Sequence, residues 1–223
     1  MGKNIDYHVH TRFSDGYYSP QDMILAAREK SLQEICITDH YSTMKPALSS
    51  FELEDYFTTL DKIRKNESLD VQLFIGIEVD MYSIETFHEL IEYDWDLVLF
   101  EYVFNGPSWY ENFRKVIRFK KNFPKYNVGL AHTRFSRVSE SKLDYVLNML
   151  KKYSIIIELN TSYQNYLDSW FNYLNDEFFY SISTDAHSKE RLGDIGPALY
   201  YLQSRRILDS QIIKLAEENI KRK

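Results

Sequence analysis

Asn4-Ile5-Asp6-Tyr7-His8-Val9-His10 is the first readable element of the chain, and Thr11-Arg12-Phe13-Ser14-Asp15-Gly16 follows it directly. Residues 4–9 read as a short strand. Side chains two apart in a strand point to the same side, so His8 and His10 aim both imidazoles at one point. Imidazole is the commonest protein ligand for zinc and similar divalent ions. The same pair could also line the solvent face of an edge strand, and only the rest of the chain decides between the two readings.

Outward from this strand, a helix is expected over 20–30, with Ser19 as N-cap and Pro20 at the first helical position. A β-rich run at 34–38 comes next. The alternation then continues, with strands predicted over 71–79, 96–104, 127–131, 155–159 and 178–183. Apolar spacing with charges between predicts helices over 51–66, 84–92, 109–122, 141–153 and 210–222, the last capped by Asp209. Strand–helix alternation of this kind argues for an α/β fold with a parallel sheet. Seven or so units in 223 residues fit a small (β/α) barrel, with an open doubly wound sheet as the alternative. No linker, low-complexity segment or internal repeat divides the chain, so one domain over 1–223 is expected.

Composition bounds the function. Apolar residues make up 44% and charged residues 27%, ordinary for a soluble globular protein. No apolar run approaches the roughly 18 residues that a membrane span requires, and the N-terminus lacks the apolar core of a signal peptide. Cys36 is the sole cysteine, which excludes an internal disulfide and suits a cytoplasmic protein. The net charge of −6 disfavours non-specific nucleic-acid binding, while leaving room for a nucleotide or phosphate ester held locally by metal ions. The 18 tyrosines and 14 phenylalanines are spread along the chain, which suits packing better than a base-stacking platform.

Polar residues fall where the predicted strands end. The second strand runs into Thr38-Asp39-His40, and the third carries Gly76-Ile77-Glu78-Val79-Asp80. The fifth ends in Ala131-His132-Thr133-Arg134, the sixth in Glu158-Leu159-Asn160-Thr161, and the seventh in Ser183-Thr184-Asp185-Ala186-His187. In parallel α/β folds these C-terminal strand ends form the active-site face. Five of the six histidines follow or end a predicted strand, and only His88 lies in a predicted helix. Imidazoles accompanied by Asp15, Glu78 and Asp185 need cations to offset the carboxylates. Arg134 stands two residues from His132, and Arg12 and Arg191 also lie near candidate ligands, where guanidinium forks suit phosphate oxygens. There is no Gly-rich phosphate loop, dinucleotide fingerprint or Gly-x-Ser-x-Gly elbow.

The ordered set His8-x-His10, Asp15, Thr38-Asp39-His40, Gly76-x-Glu78, His132 and Asp185-x-His187 resembles the PHP (polymerase and histidinol phosphatase) domain superfamily. The likeness runs from residue 5 to about residue 196. It implies a distorted (β/α)7 barrel carrying two or three divalent ions (zinc, manganese or iron) at the C-terminal rim, and hydrolysis of phosphoesters. By the same resemblance His8, His10 and Asp185 hold a first metal, Glu78 bridges to a second with His132, and Asp15, His40 and His187 hold a third. Asp39 orients a ligand, and Arg134 and Arg191 neutralise phosphate oxygens. One position departs from the pattern. Val103 falls where the family places a further ligand histidine, and Glu101 precedes it on the same predicted strand. The second metal therefore uses Glu101 as a ligand, binds weakly, or is absent.

The leading expectation is an enzyme, a metal-dependent phosphoester hydrolase in which metal-activated water attacks a small phosphomonoester, histidinol-phosphate-like or a nucleotide. The alternatives are a nucleotide or oligonucleotide 5′-end phosphodiesterase, or a non-catalytic binding or scaffold protein with an incomplete metal site. A lysine-bridged amidohydrolase-type site is disfavoured because no lysine occupies a predicted strand end.

Overall fold

In a computed structural model of the protein, which describes residues 4–65, 70–83, 87–135, 138–163, 172–173, 175–207 and 209–217, eight parallel strands form one sheet. The elements are β1 (Ile5–Val9), α1 (Pro20–Glu29), β2 (Glu34–Ile37), β3 (His40–Tyr41), α2 (Leu53–Arg64), β4 (Gln72–Asp80) and β5 (Leu97–Glu101). After them come α3 (Trp109–Asn122), β6 (Asn127–Leu130), α4 (Glu140–Lys152), β7 (Ile156–Asn160), β8 (Tyr180–Ser183) and α5 (Gly196–Ser204).

Strand order in the sheet follows strand order in the chain: β1-β2-β4-β5-β6-β7-β8, with β3 against β4. A doubly wound sheet would reverse that order at a switch point. Here the order never reverses, and the last strand comes round to the first. The seam is thin. His10 N donates to Ala186 O at 2.9 Å and Ala186 N to His8 O at 3.2 Å, around a single Val9–Ala186 bridge. The fold is therefore a (β/α) barrel distorted at its seam.

The strands are buried on both faces, which explains their near-continuous apolar runs. Helices cover them through apolar stripes, such as Leu53, Tyr56 and Leu60 on α2. Ser19 caps α1 as expected, its Oγ accepting from Asp22 N at 3.2 Å with Pro20 in the first turn. The second predicted strand is split in two. Thr38 N still donates to Val9 O, but from Asp39 onward the chain turns to β4, where Glu78 N donates to Asp39 O.

Three expectations are corrected. The strand predicted over 96–104 stops at Glu101, because Tyr102 takes a left-handed φ of 58°. Glu101 and Val103 thus do not share a strand face. Of the helix predicted over 84–92, residues 84–86 lie outside the described residues, and the remainder keeps one 3-10 turn, Leu90–Glu92. Side chains satisfy the last carbonyls of the segment: Trp95 Nε1 donates to Leu90 O at 2.7 Å and the Tyr126 hydroxyl to Ile91 O at 3.3 Å. The helix predicted over 210–222 also fails at its start. Asp209–Gln211 is a 3-10 turn, Ile212 bridges to Tyr180, and Ile213 N donates to Tyr180 O, while residues 218–223 lie outside the described residues. The sequence reading also missed α5. Among the described residues no helix is long and apolar enough to cross a membrane.

Candidate metal centre

At the C-terminal rim, His8 and His10 leave β1 on one side, their ring centroids 4.8 Å apart. Glu78, from the buried strand β4, reaches three imidazoles with one oxygen. Its Oε2 lies 3.2 Å from His8 Nε2, 3.5 Å from His10 Nε2 and 2.6 Å from His40 Nδ1. The other oxygen, Oε1, lies 2.9 Å from His132 Nε2. Asp185 Oδ1 stands 2.9 Å from His10 Nε2 and 3.5 Å from His8 Nε2. Asp15, on the loop after β1, meets His187 Nε2 at 3.1 Å and His40 Nε2 at 3.6 Å. His88, by contrast, is exposed.

Among the described residues, three groups offer donor atoms close enough to share one cation each: His8, His10 and Asp185; His10, Asp15, His40 and His187; and His40, Glu78 and Glu101. Within each group these atoms all lie within 4.8 Å of one another. Six of them (His8 Nε2, His10 Nε2, His40 Nδ1, Glu78 Oε2, Glu101 Oε1 and Asp185 Oδ1) are buried with no hydrogen-bond partner among the described residues, despite the short distances between them. Leaving such groups unpaired is costly. Divalent cations held by these groups would satisfy them, so the residues present fit metal ions.

Charge within the site shows the same demand. Burial pushes the His8 imidazole toward neutrality, but the carboxylates of Glu78, Glu158 and Asp185 lift its pKa well above the usual value. His40 is likewise driven down by burial and raised to about 10 by Glu78 and Glu101. His10 goes the other way, lowered to about 3 by burial and by His40. Burial would raise Glu78, yet the neighbouring imidazoles hold it well below the carboxylate range. Protons on imidazoles thus compensate the carboxylates where cations could.

The supporting residues are more numerous than the sequence suggested. Glu158 of β7 accepts from His8 Nδ1 at 2.6 Å, from Ser183 Oγ at 2.5 Å and from the His132 amide. Asp6 accepts from Thr184 N at 3.0 Å and Gly193 N at 2.9 Å, fixing the turn in which Asp185 sits at a φ of 54°. Asp39 touches no imidazole at hydrogen-bond distance. It accepts instead from Thr11 N, Thr11 Oγ1 and Ser14 Oγ at 2.7, 2.7 and 2.6 Å, and so orders the loop that carries Asp15. A further residue comes from the loop after β3, where the Lys45 ammonium pairs with Glu101. Glu158 carried a signal, a lone carboxylate in an apolar strand; Lys45 carried none.

The arginines stand further out. Arg134 is exposed beside a small cleft of about 30 Å³ that His132, Tyr102 and Val103 also line. The exposed Arg191 pairs with Asp194 at 3.1 Å and donates to Ser162 Oγ at 3.2 Å. Arg12 Nε donates to Tyr17 O. Val103 is fully buried among apolar neighbours.

Comparison with known proteins places this rim in context. A probable histidinol-phosphatase of Thermotoga maritima is 38% identical over 60 residues, which is 26% of each chain. The DNA polymerase/3′-5′ exonuclease PolX of Bacillus subtilis is 25% identical over 239 aligned positions, covering 97% of this chain and 41% of that protein. The chain thus spans well under half the length of the curated relatives it matches. In fold it is similar to a histidinol phosphate phosphatase of Lactococcus lactis solved with zinc, L-histidinol and phosphate, with a TM-score of 0.65, 20% identity, and coverage of 93% of this chain and 95% of that one. The PHP domain family matches residues 6–185, a span that holds every candidate ligand except His187. With the rim geometry and the parallel barrel beneath it, that match shows that the chain belongs to the PHP domain family.

Proposed function

We propose that the protein is a metal-dependent phosphoester hydrolase that acts on a small phosphomonoester. The observation that carries this reading is the convergence on the rim of the barrel of six buried nitrogen and oxygen atoms that lack a hydrogen-bond partner among the described residues. When bound there, divalent ions such as zinc, manganese or iron supply Lewis acidity toward phosphate oxygens and lower the pKa of water.

The chain's own residues do the rest. His8, His10 and Asp185 would hold one ion, and Asp15, His40 and His187 another, with Glu78 and His132 between them. Glu158 fixes the proton on His8 Nδ1 and so leaves Nε2 as the ligand atom. Asp39 keeps the Asp15 loop in place. Arg134, exposed at the lip of the rim, is suited to bind a phosphate oxygen, and Arg191 could do so by leaving Asp194. The acidic chain and the absence of a basic stripe in the sequence favour a small monoester over a polynucleotide. The single cysteine, buried and unable to form a disulfide within the chain, suits the cytoplasm.

Elemental analysis coupled to a phosphoester panel with added manganese tests the reading. Phosphate release from small monoesters, such as histidinol phosphate and mononucleotides, is the expected result. Cleavage of short oligonucleotides in preference would replace the monoesterase with a 5′-end phosphodiesterase. Metal binding with no turnover of any phosphoester would leave a binding or scaffold protein.

A further inference from the structure

Lys45 belongs to no motif and lies in a loop, yet its ammonium is paired with Glu101, a carboxylate that is 1% exposed. Glu101 stands in one of the three groups able to hold a metal, with His40 Nδ1 3.4 Å from its Oε1 and His132 Nε2 3.9 Å from its Oε2. The same ammonium lies 5.3 Å from the centroid of the Tyr102 ring. Tyr102 holds the left-handed turn that ends β5, and Val103 behind it is fully buried and apolar. The corner is thus bounded by Glu101, Lys45 and an aromatic face. At the other two groups the close charge pairs run between imidazoles and carboxylates.

A divalent ion and an ammonium cannot share one buried carboxylate without repulsion. We infer that Lys45 is a built-in cation that occupies the Glu101 corner, so that the protein binds two metal ions and not three, and that the ammonium faces the phosphate from the third position. The side chain is part-exposed, so Lys45 reaches both the carboxylate and the open rim. Lysine acts here as a point charge toward phosphate, which needs no fixed fork geometry. This inference rests on the metal-dependent reading above and adds the number of ions and the residue that sets it.

Metal content of the whole chain, loaded with manganese, desalted and counted by mass spectrometry, tests it. Two ions per chain are expected in the native protein and in Lys45→Arg, which keeps the charge. Lys45→Met leaves Glu101 uncompensated and is expected to take up a third ion. The double variant Lys45→Met, Glu101→Gln removes both charges and is expected to return to two. A native count of three, or a Lys45→Met count that stays at two in protein with native circular dichroism, overturns the inference and leaves the hydrolase reading standing. A native count of zero fails the metal-dependent reading itself. Paramagnetic resonance of the bound manganese gives a second readout, since an added third ion alters the coupled spectrum independently of activity.

Discussion

Glu158 never contacts the cluster's shared centres, yet it touches both sides of the site. It accepts from His8 Nδ1 at 2.6 Å and from the His132 amide, while Ser183 Oγ donates to it at 2.5 Å. With Nδ1 committed as a donor, His8 must present Nε2 as its lone-pair atom. In Glu158→Gln, which has the same shape but no charge, the amide cannot accept all three bonds. Metal affinity is expected to fall roughly 10- to 100-fold, with the circular dichroism spectrum kept. Competition with a chelator of known affinity measures this, and an unchanged constant would remove Glu158 from the metal's support. The contrast with Lys45 shows what was legible at this scale. A carboxylate inside Ile156–Asn160, buried on both faces, is costly unless it has a task, and the residues alone announce that. The position of Lys45 depends on how an irregular loop lies across Tyr102, and no periodicity encodes it. Imidazoles at strand ends were readable because their spacing follows the two-residue pleat.

Elements followed local rules wherever local rules satisfied the backbone. Capped α1 and the apolar strands formed as the sequence predicts, whereas in the segments at 84–92 and 210–222 the Leu90 and Ile91 carbonyls are bound by Trp95 and Tyr126, and the Ile213 amide by the bottom of β8. Those partners lie far off in sequence or belong to another element, so amphipathic spacing alone overstates helix there. The 11–16 loop is a case in which an element's shape is itself the functional feature. Gly16 N donates to Thr11 O at 3.0 Å, and a Cβ at Gly16 would stand 2.6 Å from His10 C, His10 O and Thr11 N. Backbone cannot yield as a flexible side chain would. Gly16→Ala is therefore expected to destabilise the fold by about 1–3 kcal/mol and to push Asp15 away from His187. Denaturant unfolding reads the first effect and manganese affinity the second. Native values for both would mean the loop tolerates the shift and that its tight turn does not position Asp15.

Across the whole molecule, backbone pairing and side-chain chemistry are unequally shared around the barrel. Between β4 and β5 the register runs over five residue pairs, from Gly76–Leu97 to Asp80–Glu101. At the seam one bridge, Val9–Ala186, joins the last strand region to the first. That bridge lies between His8 and His10 on one side and Asp185 and His187 on the other, the residues whose donor atoms converge across it. An ion held by His8, His10 and Asp185 would cross-link the seam where hydrogen bonding is thinnest. It would also relieve the unpaired buried atoms that otherwise destabilise the rim. Removing metal with a chelator is thus expected to lower Tm, and to do so unevenly. Saturation at about a thousandfold above Kd stabilises a fold by about 4 kcal/mol, which corresponds to a shift on the order of 10 °C for a chain of this size. Amide exchange should locate the loss. The His10 and Ala186 amides, which form the seam, are expected to lose protection on chelation and regain it with manganese. The amides between β4 and β5 should change much less. A uniform loss across the sheet would mean that the metal stabilises the barrel globally and is not its clasp, and no shift in Tm would mean the rim is already satisfied without it.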